Sequence, residues 1–183
     1  MRYATVAGPL GEVLLGFDEQ ALLGLWFRGQ KHEPAIGPDW VRHDAHPIAA
    51  RAATRLARYL DGVDEPFDVP IRLRGTPFQA AVWEALQAIP RGATIPYAEL
   101  ARRVGAPRAV RAVGAAVGRN PVSIFVPCHR VVGSDGALTG YAGGLPRKLH
   151  LLRLERALDG HGRVRRRAPG DDAQATLPFP VAP

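Results

Sequence analysis

Cysteine is nearly absent from this 183-residue chain, which carries one, Cys128. A single thiol excludes an intrachain disulfide and any zinc site built from several cysteines. Long apolar runs are missing too. No stretch approaches the roughly 20 residues of a membrane span, and the N-terminus lacks a signal-peptide pattern. The expectation is a soluble protein of a reducing compartment, with no membrane association. Internal repeats and clusters of metal ligands are likewise lacking. Lysine is scarce: of 24 basic residues, 22 are arginine. Arginine favours bidentate phosphate contacts, although an arginine excess follows equally from genome composition. Acidic residues thin out along the chain. Residues 1–74 carry nine Lys/Arg against ten Asp/Glu, whereas residues 75–160 carry eleven against five. The net charge of +7 therefore gathers in the second half, around the cysteine, where it suits a nucleic-acid partner or a solvated face.

The stretch Ser123-Ile124-Phe125-Val126-Pro127-Cys128-His129-Arg130-Val131-Val132 places the only thiol directly before a histidine. Its apolar flanks predict a buried strand or a tight crossing, with Pro127 fixing the backbone where the thiol emerges. A lone cysteine is commonly just a small buried hydrophobe. To react, it must become a thiolate, and a neighbouring base or positive charge must lower its pKa from about 8.5. His129 and Arg130 are candidates for that task. Neighbours in an extended segment point to opposite sides, so a direct Cys128–His129 contact requires a turn or a bridging water.

Along the chain, residues 2–7 and 13–27 read as strands of a β-meander, broken at Gly8-Pro9-Leu10-Gly11 and Asp18-Glu19. Residues 28–45 read as a loop or ragged strand. A helix from Pro47 sets Ile48, Ala52, Leu56 and Tyr59/Leu60 opposite Arg51, Arg55 and Arg58. Phe67 to Ile71 reads as a short strand leading into a second domain. Thr76-Pro77 supplies an N-cap and first-turn proline for a helix through Ile89, with Phe78, Val82, Leu86 and Ile89 as its buried stripe. A short helix from Tyr97 to Val104 and another over residues 107–118 suggest a helix-turn-helix. The second of these presents little beyond Arg108, Arg111, alanine, valine and glycine, so few side chains could read base edges in a major groove; it suits an ordinary small-residue packing helix, or one that approaches a minor groove only about 6 Å wide. Turns follow at Gly133-Ser134-Asp135-Gly136 and Gly140-Tyr141-Ala142-Gly143-Gly144, and a last helix opens at Pro146.

Together, Gly75-Thr-Pro-Phe-Gln79, Val82-Trp83, Ile89-Pro-Arg-Gly92, Pro96-Tyr97, Arg111-Ala-Val-Gly114, Asn120-Pro121, Pro127-Cys-His-Arg-Val131 and Gly140-Tyr-Ala-Gly-Gly144 resemble the O6-alkylguanine-DNA alkyltransferases. The resemblance runs through about residues 75–157 and is most specific at the Pro-Cys-His-Arg core; the first 70 residues match in pattern only. It implies an α/β protein: a ribonuclease-H-like domain over residues 1–73, a mainly helical winged helix-turn-helix alkyltransferase domain over 74–160, and a disordered tail over 161–183. It also implies binding of double-stranded DNA through the minor groove and flipping of an O6-alkylguanine base.

On that resemblance Cys128 accepts the alkyl group, His129 activates it through a water, Glu155 orients His129, and Asn120 holds the helix-turn-helix to the active-site segment. Tyr97 hydrogen-bonds the guanine and Arg111 fills the vacated stack, with Arg108, Ala112 and Gly114 on the same DNA-facing helix. Carbonyls of Cys128 and Val131 accept from the guanine amine, and Tyr141 and Ala142 line the pocket. Some relatives have serine at the positions of Ala142 and Pro96. The expected protein is a single-turnover methyltransferase, monomeric, without metal or cofactor, and cytoplasmic (nucleoid-associated in a bacterium). Attack on an alkyl carbon leaves a thioether that water does not cleave. The competing readings are a non-catalytic lesion sensor, against which the cysteine itself speaks, a cysteine hydrolase using Cys128, His129 and Glu155, and a plain helix-turn-helix regulator.

Overall fold

The computed structural model describes residues 1–159 together with Arg163 and Val164. Its contacts divide the chain into two units: one comprises Met1–Arg74 and Pro121–Phe125, the other Gly75–Asn120 and the described residues from Val126 onward. Among the described residues, no helix is long and apolar enough to cross a membrane. Apart from Arg163 and Val164, the tail expected over residues 161–183 lies outside the described residues.

In the first unit, strands β1 (Arg2–Val6), β2 (Val13–Phe17) and β3 (Leu22–Phe27) form the expected antiparallel meander, and β4 (Val41–Arg42) joins β1 in parallel, giving the order β3-β2-β1-β4. Every residue of β2 and β3 is buried. Helix α1 (Pro47–Leu60) packs on β1, β2 and β3 through Ala49, Ala52, Leu56 and Tyr59. His46 caps it by accepting from the Ile48 N–H, and Arg55 and Arg58 on its outer face pair with Glu65 and Asp68.

The strand expected over residues 67–71 does not form. Only an isolated bridge joins Ile71 to Leu22, since Pro66 and Pro70 have no N–H to donate and Asp68 takes a positive φ of 33°. The edge of β3 is occupied instead by residues 121–125. The Leu25 N–H donates to the Pro121 carbonyl at 2.8 Å and the Ser123 N–H to the Leu25 carbonyl at 2.9 Å. Phe125 stacks on Phe67 with ring centroids 4.0 Å apart.

The second unit opens with α2 (Pro77–Gln87). The Thr76 hydroxyl accepts from the Gln79 N–H while the Gln79 side chain accepts from the Thr76 N–H, so two otherwise unpaired donors are satisfied reciprocally. Val82, Trp83, Leu86 and Ile89 are buried, but Phe78 is exposed: it lies in the first turn, where residues 76–78 are all exposed. Strand β5 (Ile95–Pro96) runs directly into α3 (Tyr97–Arg103). Helix α4 spans Val110–Gly118, three residues shorter than expected, because residues 107–109 form a turn closed by the Ala109 N–H on the Ala106 carbonyl. Arg108 therefore precedes the helix rather than belonging to it. α2 packs against both α3 and α4, and the Trp83 indole N–H donates to the Ala116 carbonyl at 2.9 Å. Strand β6 (Val131–Val132) pairs in parallel with β5, and α5 (Leu145–Leu154) closes the unit.

Candidate active site

The segment leading to the thiol is a tight crossing rather than a strand. Ile124 takes φ of 72° and the Phe125 N–H donates to the Ser123 carbonyl at 2.9 Å, a γ-turn geometry rare for a β-branched residue. At Pro127, φ −82° and ψ 62° with the Cys128 N–H on the Val126 carbonyl make an inverse γ-turn. Cys128–Arg130 then forms one turn of 3-10 helix. This compact path supplies the turn that the adjacent Cys-His pair requires.

Cys128 is buried, with its Sγ 3.0 Å from the Asn120 Nδ2, which also donates to the Val126 carbonyl at 2.8 Å. One amide at the end of α4 thus holds both the crossing and the sulfur. Burial pushes the thiol pKa up, against the opposing pull of Asn120 and the Lys148 charge, so the resting group is a thiol and not the acidified thiolate. His129 is fully buried, and its Nε2 lies 3.0 Å from the Glu155 Oε1. Burial lowers the imidazole pKa while Glu155 raises it, and the net direction is down. A carboxylate can only accept, so Nε2 carries the hydrogen and Nδ1 the lone pair.

Arg130, a candidate for lowering the thiol pKa, directs its fork elsewhere: Nε to Glu155 Oε2 at 2.9 Å, Nη2 to Oε1 at 2.7 Å, and Nη1 to the Ile89 carbonyl at 2.5 Å. The cation beside the sulfur is Lys148, a residue that none of the sequence motifs singles out. Its Nζ donates to the carbonyls of Val131 at 2.5 Å, Thr139 at 2.6 Å and Gly140 at 3.3 Å, and burial lowers its pKa to about 8, opposed by Cys128. A signal does exist in the composition, since Lys148 is one of two lysines among 24 basic residues.

Tyr97 opens α3, and its hydroxyl donates to the Gly140 carbonyl at 3.2 Å. Burial and the nearby Cys128 raise its pKa to about 12, so it is a proton donor at neutral pH. The Val131 carbonyl already accepts from Lys148 and has a second lone pair for another donor. Tyr141 and Ala142 are half-buried in the loop before α5. Arg108, Arg111 and Ala112 are exposed at the start of α4, and Gly114 lies inward, where an added Cβ would stand 3.8 Å from the Tyr97 ring. The structure thus gathers Cys128, His129, Asn120 and Glu155 in one buried array, with Tyr97 beside it and the arginines on an outer face. Among the described residues no group of three or more His, Cys, Asp or Glu could hold a metal.

A buried thiol one residue before a buried histidine–carboxylate pair, in a helical unit with exposed arginines, defines a cysteine-containing protein of mixed α/β fold. Residues 77–157 match the model of the 6-O-methylguanine DNA methyltransferase DNA-binding domain. The chain is 46% identical over 155 residues to a methylated-DNA–protein-cysteine methyltransferase of Methanosarcina barkeri, covering 85% of this chain and 97% of that one. It is also 46% identical over 157 residues to a protein of the same name from Mycolicibacterium paratuberculosis, covering 85% and 93%. Among solved structures, Mycobacterium tuberculosis OGT in complex with DNA aligns with a TM-score of 0.79 at 42% identity, over 85% of this chain and 93% of that one. The chain belongs to the methylated-DNA–protein-cysteine methyltransferase family.

Proposed function

We propose that the protein repairs O6-alkylguanine in DNA by direct, stoichiometric and irreversible transfer of the alkyl group to Cys128. The observation that carries this reading is the buried thiol held by Asn120 and placed one residue before a histidine paired to Glu155, within the residues matching the family model.

Because burial keeps Cys128 protonated at rest, its proton leaves as the sulfur attacks. It passes through a water to Nδ1 of His129, and the resulting imidazolium is stabilised by Glu155. The Asn120 N–H, 3.0 Å from Sγ, supports the developing thiolate. Sulfur then bonds to the alkyl carbon while the carbon–O6 bond breaks, its electrons returning to the guanine ring. Tyr97 releases its hydrogen bond to Gly140 and donates to the departing base. The product is a thioether, and no group regenerates the thiol, so each chain reacts once and needs no cofactor.

On this reading residues 74–160 are a winged helix-turn-helix domain with α3 and α4 as the helix pair, and residues 1–73 a ribonuclease-H-like domain that carries none of the chemistry. The exposed face of α4 enters the minor groove. Its small Ala112 and Ala115 allow close approach, and Arg108 and Arg111 flank them. Arg111 fills the stack vacated by the flipped base, while Tyr141, Ala142 and the Val131 carbonyl line the base pocket. The protein acts as a monomer in the cytoplasm.

The test is stoichiometry against a duplex carrying O6-methylguanine. Repair should stop at one lesion per chain, and Cys128→Ala should repair none while still binding the duplex. Sustained turnover would point to a hydrolase.

A further inference from the structure

We propose that Arg130 is a positioning residue of the transfer reaction: its guanidinium fork grips both oxygens of Glu155 and holds that carboxylate as a fixed anion that orients the His129 imidazole without taking its proton. The inference rests on the alkyl-transfer function proposed above.

Glu155 is fully buried, and its acceptor sites are filled. Oε1 receives His129 Nε2 at 3.0 Å and Arg130 Nη2 at 2.7 Å, while Oε2 receives Arg130 Nε at 2.9 Å and the Gly92 N–H at 3.4 Å. A carboxylate offers about four lone-pair sites, so a proton could settle on Glu155 only by displacing one of these donors. The third donor of Arg130, Nη1, is anchored on the Ile89 carbonyl just beyond α2 at 2.5 Å. The fork is therefore fixed at both ends, and the carboxylate cannot swing away from the ring. A lysine would keep the charge but not the rigid planar fork that fixes both oxygens in one geometry.

The charges facing His129 give the consequence a sign. They are Glu155 at the end of α5, Lys148 within α5, and Arg130 on its own turn, while the neighbouring Cys128 is a neutral thiol. Glu155 favours the imidazolium, whereas Arg130 and Lys148 oppose it. Burial is the main cause that keeps the imidazole neutral, and with Arg130 in place the carboxylate orients the ring while part of its opposing pull is offset, leaving the ring ready to accept the thiol proton. Without Arg130, Glu155 acts on the ring undiluted. The imidazole then protonates at higher pH and loses its capacity as a base before the sulfur reacts. Arg130 supports the base by keeping its partner's charge in check as well as in place.

The experiment follows the rate of Cys128 alkylation by free O6-benzylguanine across pH, read by intact mass, in wild type, Arg130→Gln and Arg130→Lys, with thermal melts of each. Free base separates the chemistry from DNA binding. In Arg130→Gln the acidic limb should move up by about one pH unit. In Arg130→Lys it should stay near the wild-type position while the plateau rate drops about tenfold, since charge is kept and the fork lost. A purely structural ion pair would lower the melting temperature and leave the limb where it was. An unmoved limb in a folded Arg130→Gln protein overturns the proposal; where that variant does not fold, an Arg130→Lys plateau equal to wild type overturns it. A wild-type chain that takes up no alkyl group overturns the function itself. Wild-type alkylation with an unmoved limb overturns only the role of Arg130.

Discussion

Cys128 keeps its proton at rest because of its own surroundings: burial holds the proton on, and Asn120, the Lys148 charge and the backbone N–H groups of Cys128 and His129 pull against it. The Cys-His pair was legible in the sequence because the two residues are adjacent, and Glu155 and Asn120 followed from the family resemblance. The role of Lys148, marked in the sequence only by the scarcity of lysine, and the true partner of Arg130 were not legible. Lys148 acts on backbone carbonyls, which leave no trace in side-chain identity, and Arg130 grips a carboxylate 25 residues away. Burial alone would raise the Glu155 carboxyl above its ordinary 4.5, but His129 and Arg130 outweigh it and hold the pKa well below. A carboxyl depressed in the folded state contributes stability that is complete above its unfolded pKa and lost as pH falls toward the folded value. Wild-type stability in urea should therefore decline on acidification below about 4.5. Glu155→Gln should decline less steeply, from a starting stability about 3–5 kcal/mol lower because Arg130 is left as an uncompensated buried charge. The same variant should slow alkyl transfer about 10–100-fold, measured with free O6-benzylguanine. A variant as stable and as fast as wild type would show that the array is incidental.

Helix α2 shows which parts of an element a sequence reveals. Thr76-Pro77 gave its start, and the spacing of Val82, Leu86 and Ile89 gave its buried face. Phe78 was misplaced because periodicity assigns a face to every turn, including a first turn that opens on exposed residues. The strand expected over residues 67–71 failed for a related reason: apolar alternation was present, but Pro66 and Pro70 removed the donors a ladder needs. Helix α4 begins at Val110, so Arg111 lies in its exposed first turn. A guanine extruded from a duplex costs a few kcal/mol of stacking and pairing, which a planar guanidinium in the vacated space offsets. Arg111→Ala should slow repair of duplex DNA strongly and leave reaction with free O6-benzylguanine nearly unchanged. Arg111→Lys should restore only part of the loss, having charge without the plane. Equal slowing on both substrates would move Arg111 into the support of the fold.

For the whole molecule, the uneven charge is legible in the sequence alone: eleven basic against five acidic residues over 75–160, and near balance over 1–74. In the first unit the described charges largely pair with one another, as Arg55 and Arg58 do with Glu65 and Asp68. If the excess in the second half binds phosphates, the logarithm of duplex affinity should fall linearly with the logarithm of salt concentration, with a slope of roughly −0.9 per phosphate neutralised. An affinity indifferent to salt would make that half a solvated face. The central claim is that one sulfur accepts one alkyl group. The most direct measurement is intact mass of the chain after incubation with excess O6-methylguanine duplex, followed by peptide mapping. The account predicts a gain of one methyl group per chain, located on Cys128 and absent from Cys128→Ala; an unmodified chain alongside repaired DNA, or a methyl on any other residue, would contradict it.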